Sequence, residues 1–424
     1  MGGMDRPMQR RHWLFALITG SLVCGTMSAG RTGESSASTK PTATAQIRDM
    51  FTQGKVNVNV RLRWEHVEQD GRRTASAVTV RPRLGFTTAP LHGFRAGIEF
   101  QGNTPLGTEK EYRPSPLSTD PETINHAIIA DPEDFVLDQV WGSYTRWDST
   151  VKAGRQVILL DNQRFVGPVG WRQLQQTFDA AVLNVGALEH WDFMYGHLWQ
   201  INRVLGMNNR GGRWTTASHL IHVRYDACAY ATVTLYGYLL DIHNAPALSS
   251  DTFGGSVAGT APINDSWKLT YRGEFAWQID AFDNPADYGA PYYHLMAGPE
   301  VGRFNAGVGY EVLGSDNGAS VQTPLATLHA WNGWADMFLT TPTDGLRDLY
   351  GWAGVKLPWE LPLKVVVHKF DADKGSRDYG WELDIQLSRS FGPYFKVLAA
   401  YARYDGKDVH PDTEKFWLQG EFNY

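Results

Sequence analysis

Arginine recurs at every second position early in the chain, as Arg61 and Arg63, then Arg81 and Arg83, with Arg95 following. A guanidinium is a rigid fork of donors that matches a carboxylate in bidentate fashion. Residues two apart on a strand share a face, and adjacent strands lie about 5 Å apart. These five arginines therefore form one patch, with Glu65 and Glu99 placed to pair with part of it. A second set comes from residues 154–180. The stretch runs Gly154-Arg155-Gln156, then Asp161-Asn162-Gln163-Arg164-Phe165-Val166-Gly167-Pro168, then Trp171-Arg172-Gln173, and closes on Thr177-Phe178-Asp179-Ala180. It is too polar for a core helix and too rich in Gly, Pro, Arg and Gln for one strand. It reads as a strand end, a structured turn folded inward or over a mouth, and a returning strand, with Arg155, Arg164, Arg172 and Asp179 facing water. Arg272 and Lys364 follow on later strands. Rings of Arg or Lys in a pore select anions. The set thus points to a conduit that binds an anionic solute. The same arginines can instead neutralise Asp138, Asp179, Glu274, Glu382 and Asp384. For any single arginine both readings stand open; the patch as a whole favours solute binding.

Little else in the chain suggests chemistry. No Gly-x-Ser-x-Gly motif, phosphate loop or dinucleotide fingerprint occurs, so no enzyme and no cofactor is expected. His219 and His222 are three apart, which on a strand puts them on opposite faces, and no metal site is expected there. Asp131, Glu133 and Asp134 follow a Pro-rich segment. Such a loop can take calcium, although a solvated loop end is the plainer reading. The net charge of −6 argues against nucleic acid.

Strands must position these residues. Val56, Val58, Val60, Leu62 and Trp64 alternate with Asn57, Asn59, Arg61, Arg63 and Glu65, giving one oily and one wet face. Val78 to Phe86 and Phe94 to Gln101 repeat the design. Trp267 to Ile279 has an apolar face that is aromatic near both ends, as membrane interfaces require. Aromatics make up 12% of the chain, with 16 Trp and 43 Gly, and no apolar run after residue 30 approaches a membrane helix. This is the composition of a transmembrane antiparallel β-barrel, all-β, with about 16 strands visible and 18 if one hairpin is missed. A large soluble all-β protein that stacks sugars on Trp and Tyr is the competing class. Residues 102–133, 206–213 and 244–264 read as loops. Phe416, Leu418, Gly420, Phe422 and Tyr424 form the oily face of a final strand that closes on the first, leaving no edge in lipid.

The amino-terminal end supplies a compartment. Arg6, Arg10 and Arg11 precede the apolar run Trp13 to Val23, and small residues follow at Ser28, Ala29 and Gly30. Residues 1–30 read as a signal peptide, residues 31–54 as a flexible lead-in, and residues 55–424 as the barrel. Val23 is a poor residue before a lipidated cysteine. If Cys24 leaves with the leader, only Cys228 remains and no intrachain disulfide forms.

The stretch Gly154-Arg155-Gln156, Asp161 to Gly167, Trp171-Arg172 and Thr177-Phe178-Asp179 resembles the central signature of the alginate export family of outer-membrane β-barrels. Arg61-Leu62-Arg63-Trp64-Glu65 and Arg81-Pro82-Arg83-Leu84-Gly85 resemble the first strands of that family. The resemblance covers residues 56–424 and is sharpest over 140–180. It implies an 18-stranded monomer in the outer membrane of a Gram-negative bacterium, with an electropositive constriction. It implies passive outward passage of an acidic polysaccharide such as alginate. The implied partners are outer-membrane lipid, the anionic polysaccharide or another anionic solute, and the barrel-insertion machinery. The alternatives within this fold are a general or small-molecule-uptake porin and an outer-membrane barrel enzyme.

Overall fold

The computed structural model describes residues 42–424. The leader read in residues 1–30 lies outside the described residues. Residues 31–54 read as a flexible lead-in, but Ala43–Thr52 within them form helix α1, held to the barrel by Phe51 stacked on Phe86 at 6.4 Å.

The strands are β1 (Lys55–Gln69), β2 (Ala75–Thr87), β3 (Phe94–Pro105), β4 (Asp134–Arg146), β5 (Ser149–Gln156) and β6 (Thr177–Leu188). They continue as β7 (Trp191–Asn202), β8 (Arg213–Cys228), β9 (Ala231–Leu240), β10 (Ser250–Pro262), β11 (Trp267–Asp280) and β12 (Gly289–Val301). The last six are β13 (Phe304–Leu313), β14 (Leu346–Leu357), β15 (Leu361–Asp371), β16 (Asp378–Phe391), β17 (Phe395–Gly406) and β18 (Thr413–Asn423). Each pairs antiparallel with the next, and β18 returns to β1, so one 18-stranded sheet closes on itself.

Burial runs opposite to that of a soluble protein. Leu62 and Leu84 are 49% and 56% exposed on the outer wall, while Arg63 and Glu65, next along β1 but on the inner wall, are 1% exposed. The pleat makes this alternation, and lipid outside with polar groups inside gives it a cause. Short turns lie at one end, as at residues 147–148 and 302–303, and long loops at the other, as at 106–133, 157–176 and 314–345. That asymmetry puts the turns in the periplasm and the loops outside. Trp147 and Asp148 both adopt positive φ, 49° and 56°, the type I′ geometry of a two-residue hairpin.

One strand differs from the sequence reading. β10 runs through residues 244–264, which read as a loop. Its outer face carries Phe253 and Val257 with Gly255 between them. A Cβ at Gly255 would stand 2.8 Å from the Leu235 side chain, so β9 covers that position instead. The apolar face is real, but part of it belongs to the neighbouring strand.

Candidate functional site

Two loops fold into the lumen and meet. The first, residues 157–176, joins β5 to β6. The second, residues 314–345, joins β13 to β14. They interlock through their backbones: the Gly167 N–H donates to the Leu325 carbonyl at 2.9 Å and the Thr327 N–H to the Gln163 carbonyl at 3.1 Å. Apolar groups draw the first loop inward. Phe165 packs among Tyr236, Tyr238 and Tyr292, at 5.3, 5.8 and 5.0 Å between ring centres. Trp171 stacks on His329 of the second loop at 4.1 Å and meets Trp417 of β18 edge-on.

Buried ion pairs then fix the layer to the walls. Arg164 Nε donates to Glu311 Oε1 of β13 at 2.6 Å, with both side chains 1% exposed. Arg164 also donates to Thr323 Oγ1 at 2.9 Å and Asn332 Oδ1 at 3.3 Å. Arg172 reaches Glu65 of β1 and Asp336 of the second loop, each at 3.1 Å. Lys415 of β18 meets the same Asp336 oxygen at 3.2 Å, and His329 Nδ1 lies 2.8 Å from the other. Burial opposes ionisation of Asp336. Lys415, His329 and Arg172 together outweigh it and hold the carboxyl well below the usual carboxylate range. On the far side, the Ala335 and Trp334 N–H groups donate to Glu382 and Asp384 at 2.7 and 3.3 Å. Asn332 donates to Glu311 at 2.6 Å and to Asp348 at 3.1 Å.

The layer separates two cavities. One of about 730 Å³ lies on the turn side against β10 to β15, lined by Arg272, His294, Trp331, Tyr350, Trp352 and Lys364 among others. The other, about 360 Å³, lies on the loop side, lined by Arg172, Arg203, Leu205, Leu328, Met337 and Lys415 among others.

Arg61, Arg63, Arg81 and Arg83 stand together on the opposite wall. Arg95, expected in the same patch, does not join them, because β3 pairs Gln101 with Arg83 and Gly97 with Thr87, which leaves Arg95 six residues further along, at the turn end. Arg61 and Arg81 are directly opposed across the β1–β2 pair. Arg61 reaches Glu421 at 3.2 Å, and Arg81 lies 3.6 Å from the same carboxylate. Arg61 also donates to the carbonyls of Gly170, Trp171 and Arg172, clasping the end of the first loop. Arg63 donates to Gln419, lies 3.8 Å from Asp131, and has its guanidinium 4.4 Å over Trp171. Arg83 donates to Gln101 and lies 3.6 Å from Glu99. Arg95 donates to the Thr88 carbonyl at 3.4 Å. Arg272, on the far wall, pairs with Glu274 at 2.8 Å.

Four residues expected to face water do otherwise. Arg155 and Asp179 are paired in register with Val140, which pairs with Ile98. Directly opposed residues share a face, and Val140 and Ile98 are lipid-facing, 42% and 40% exposed. Arg155 and Asp179 therefore lie on the outer side of the wall, joined by a fork of 2.7 and 3.0 Å. Gly154, at φ 118°, lets β5 stay tight against β4 just before that pairing ends; a Cβ there would stand 2.3 Å from the Val140 carbonyl. Arg164 and Arg172 do enter the lumen, but as buried anchors. The acidic loop is also committed: Asp131 accepts from the Gln173 N–H at 2.7 Å, and Asp134 from Asn208 at 2.6 Å. Among the described residues, no three His, Cys, Asp or Glu side chains are grouped to hold a metal ion. His219 and His222 do face opposite ways, the first toward Tyr195 and the second toward Asp161. The second loop went unread in the sequence, and with it Asn332 and Asp336. Its one signal is the cluster Trp331-Asn332-Gly333-Trp334. Lys415 was legible, since it shares parity with Gln419 and Glu421.

The model of the family described as alginate export matches residues 58–281, more than half of the chain. The chain belongs to the alginate export family. Among solved structures, it is similar to OccAB2 of Acinetobacter baumannii, at 14% identity and a TM-score of 0.72 over 89% of this chain and 99% of that one. It is also similar to OccAB4 of the same organism, at 13% and 0.71 over 88% and 98%. OpdK of Pseudomonas aeruginosa with vanillate follows at 14% and 0.67 over 87% and 98%. At these identities the likeness concerns the fold. None of the curated proteins matches the sequence. Family and closed barrel are those of an outer-membrane channel.

Proposed function

We propose that this protein is a passive channel for an anionic solute in the outer membrane of a Gram-negative bacterium, and that the solute is an acidic polysaccharide such as alginate. The observation that carries the reading is the unequal wall. Arg61, Arg63, Arg81 and Arg83 stand together on β1 and β2, and among the described residues their ion pairs reach three carboxylates, Glu421, Asp131 and Glu99, while Arg95 further along β3 has none. Fixed cations in a low-dielectric wall concentrate anions and leave donors for sugar carboxylates. The aromatic rings of Trp331, Tyr350 and Trp352 around the inner cavity supply faces for a pyranose ring. The protein acts as a monomer in this reading, with lipid and the insertion machinery as its other partners. A second reading, uptake of a small carboxylate, is favoured by the loop layer, which divides the lumen into two compartments each sized for a small molecule. Planar-bilayer recording under a salt gradient tests the channel. Added oligouronate and added monomer then separate the readings: block by the oligomer at lower concentration supports the polymer, and block by monomer alone supports the small solute.

A further inference from the structure

We propose a second, lateral opening in the barrel wall between β4 and β6, closed in this conformation by the loop 203–212, that admits an amphiphilic anion, a single acyl chain with an acidic head, to the outer cavity. The inference rests on the channel reading above. It starts from a defect in the sheet. The β4–β5 register ends at Val140 and Arg155, because β5 stops at Gln156. Asp134–Gln139 of β4 therefore have a strand partner only on the β3 side. An open backbone edge is costly at membrane depth, and this one lies at the level of the outer aromatics, where Phe135 stacks on Phe100 at 6.0 Å.

Side chains cover the edge in place of a strand. Arg155 Nη1 donates to the Leu137 carbonyl at 3.1 Å while its fork holds Asp179. Asn202 donates to Asp179 at 2.9 Å. The loop 203–212 then crosses the gap: the Asn208 N–H and side-chain amide donate to Asp134 at 3.2 and 2.6 Å, and Met207 sulfur lies against Arg155 at 3.1 Å. Gly206 allows this seat, since at φ 81° a Cβ would stand 2.7 Å from the Asp134 carboxylate. A cover made of side chains and one loop opens at far lower cost than a strand ladder.

What lies behind the cover fits an amphiphile. Val204 and Leu205 at the root of the loop line the outer cavity with Val169, Leu328, Met337 and Leu339. Of its cations, Arg172 and Lys415 are held by Asp336. Arg203 has no ion pair among the described residues; it donates to the Gly211 carbonyl at 2.8 Å and lies 3.9 Å over Trp214. A chamber with one apolar set of side chains, beside polar groups such as Gln176 and His329, and with a guanidinium free of ion pairs at its edge suits an acyl chain and its acidic head.

The test is a lock. In a Cys228→Ser background, Asp134→Cys and Asn208→Cys are combined, and the protein is reconstituted in vesicles. Efflux of dodecanesulfonate, permanently charged and slow to cross lipid, is compared with chloride conductance in the oxidised and reduced protein. The expected result is at least a tenfold loss of dodecanesulfonate efflux on oxidation, restored by reductant, with chloride conductance unchanged. As a second arm, Asn208→Ala is expected to raise the efflux. Dodecanesulfonate efflux equal in both redox states, or absent from the unmodified protein, overturns the proposal. Loss of anion preference with a lock-sensitive efflux retained would remove the axial channel reading and leave the portal.

Discussion

Replacing Arg164 with Gln should release the loop layer from the far wall. The Arg164–Glu311 pair is direct at 2.6 Å and wholly buried. Removing the guanidinium leaves the Glu311 carboxylate with only the Tyr292 hydroxyl at 2.8 Å and the Asn332 amide at 2.6 Å. Breaking a buried pair from one side costs about 3–5 kcal/mol. If that cost falls on the seated loop, the ratio of seated to released states drops by roughly two to three and a half powers of ten. Phe165 and the backbone bonds between the loops still favour seating, so the expected outcome is frequent release rather than permanent loss. Single-channel recording should show a larger mean conductance with brief closures, and amide exchange over residues 160–175 should accelerate. The double variant Arg164→Gln with Glu311→Gln leaves neither charge of this pair buried without its partner and should recover most of the parent behaviour. Unchanged conductance and exchange in the single variant, or no recovery in the double, would refute the anchoring role.

Asp336→Asn should loosen the same layer from the side of β1 and β18. The Asp336 carboxyl is held well below its ordinary range, so its stabilising effect is fully present above about pH 4 and fades only as pH falls through that lowered value. Gating of the parent should therefore not change through Asp336 between pH 5 and 8, while the variant is looser throughout; a titration of parent gating abolished by the substitution would contradict this. Gly154→Ala should weaken the β4–β5 pairing by roughly 1–3 kcal/mol from overpacking, with backbone strain added, read as a lower temperature for the heat-dependent gel shift of the barrel. Phe165→Ala should cost about 3–5 kcal/mol of loop seating by emptying the tyrosine pocket, measured by exchange over the same loop. Arg155→Gln should leave ion selectivity unchanged, since that side chain lies outside the lumen; a shift as large as that from Arg83→Gln would show that it lines the path.

The barrel was legible because lipid on one side and polar groups on the other impose a period of two, which β1 and β11 display plainly. β10 escaped because Leu235 of its neighbour fills the place of Gly255. The arginines of β1 and β2 were legible as one patch, because strand spacing alone brings them together; Arg95 was not separable from them, because its distance is set by the β2–β3 register. The outward turn of Arg155 and Asp179 was not, because the parity of a strand next to an irregular loop is set by register with β4. The anchors of the layer were hidden for a related reason. Arg164 meets Glu311 only when its loop crosses the lumen to a distant strand, and Arg172 meets Asp336 only when two loops far apart in sequence come together there.

The central claim is that the wall of β1 to β3 makes the lumen prefer anions. The reversal potential of the purified protein in a planar bilayer, under a potassium chloride gradient, tests it directly. The account predicts the sign of chloride preference, reduced by Arg83→Gln and further by Arg83→Gln with Arg95→Gln. A potential of the opposite sign, or one that these substitutions leave in place, would contradict it.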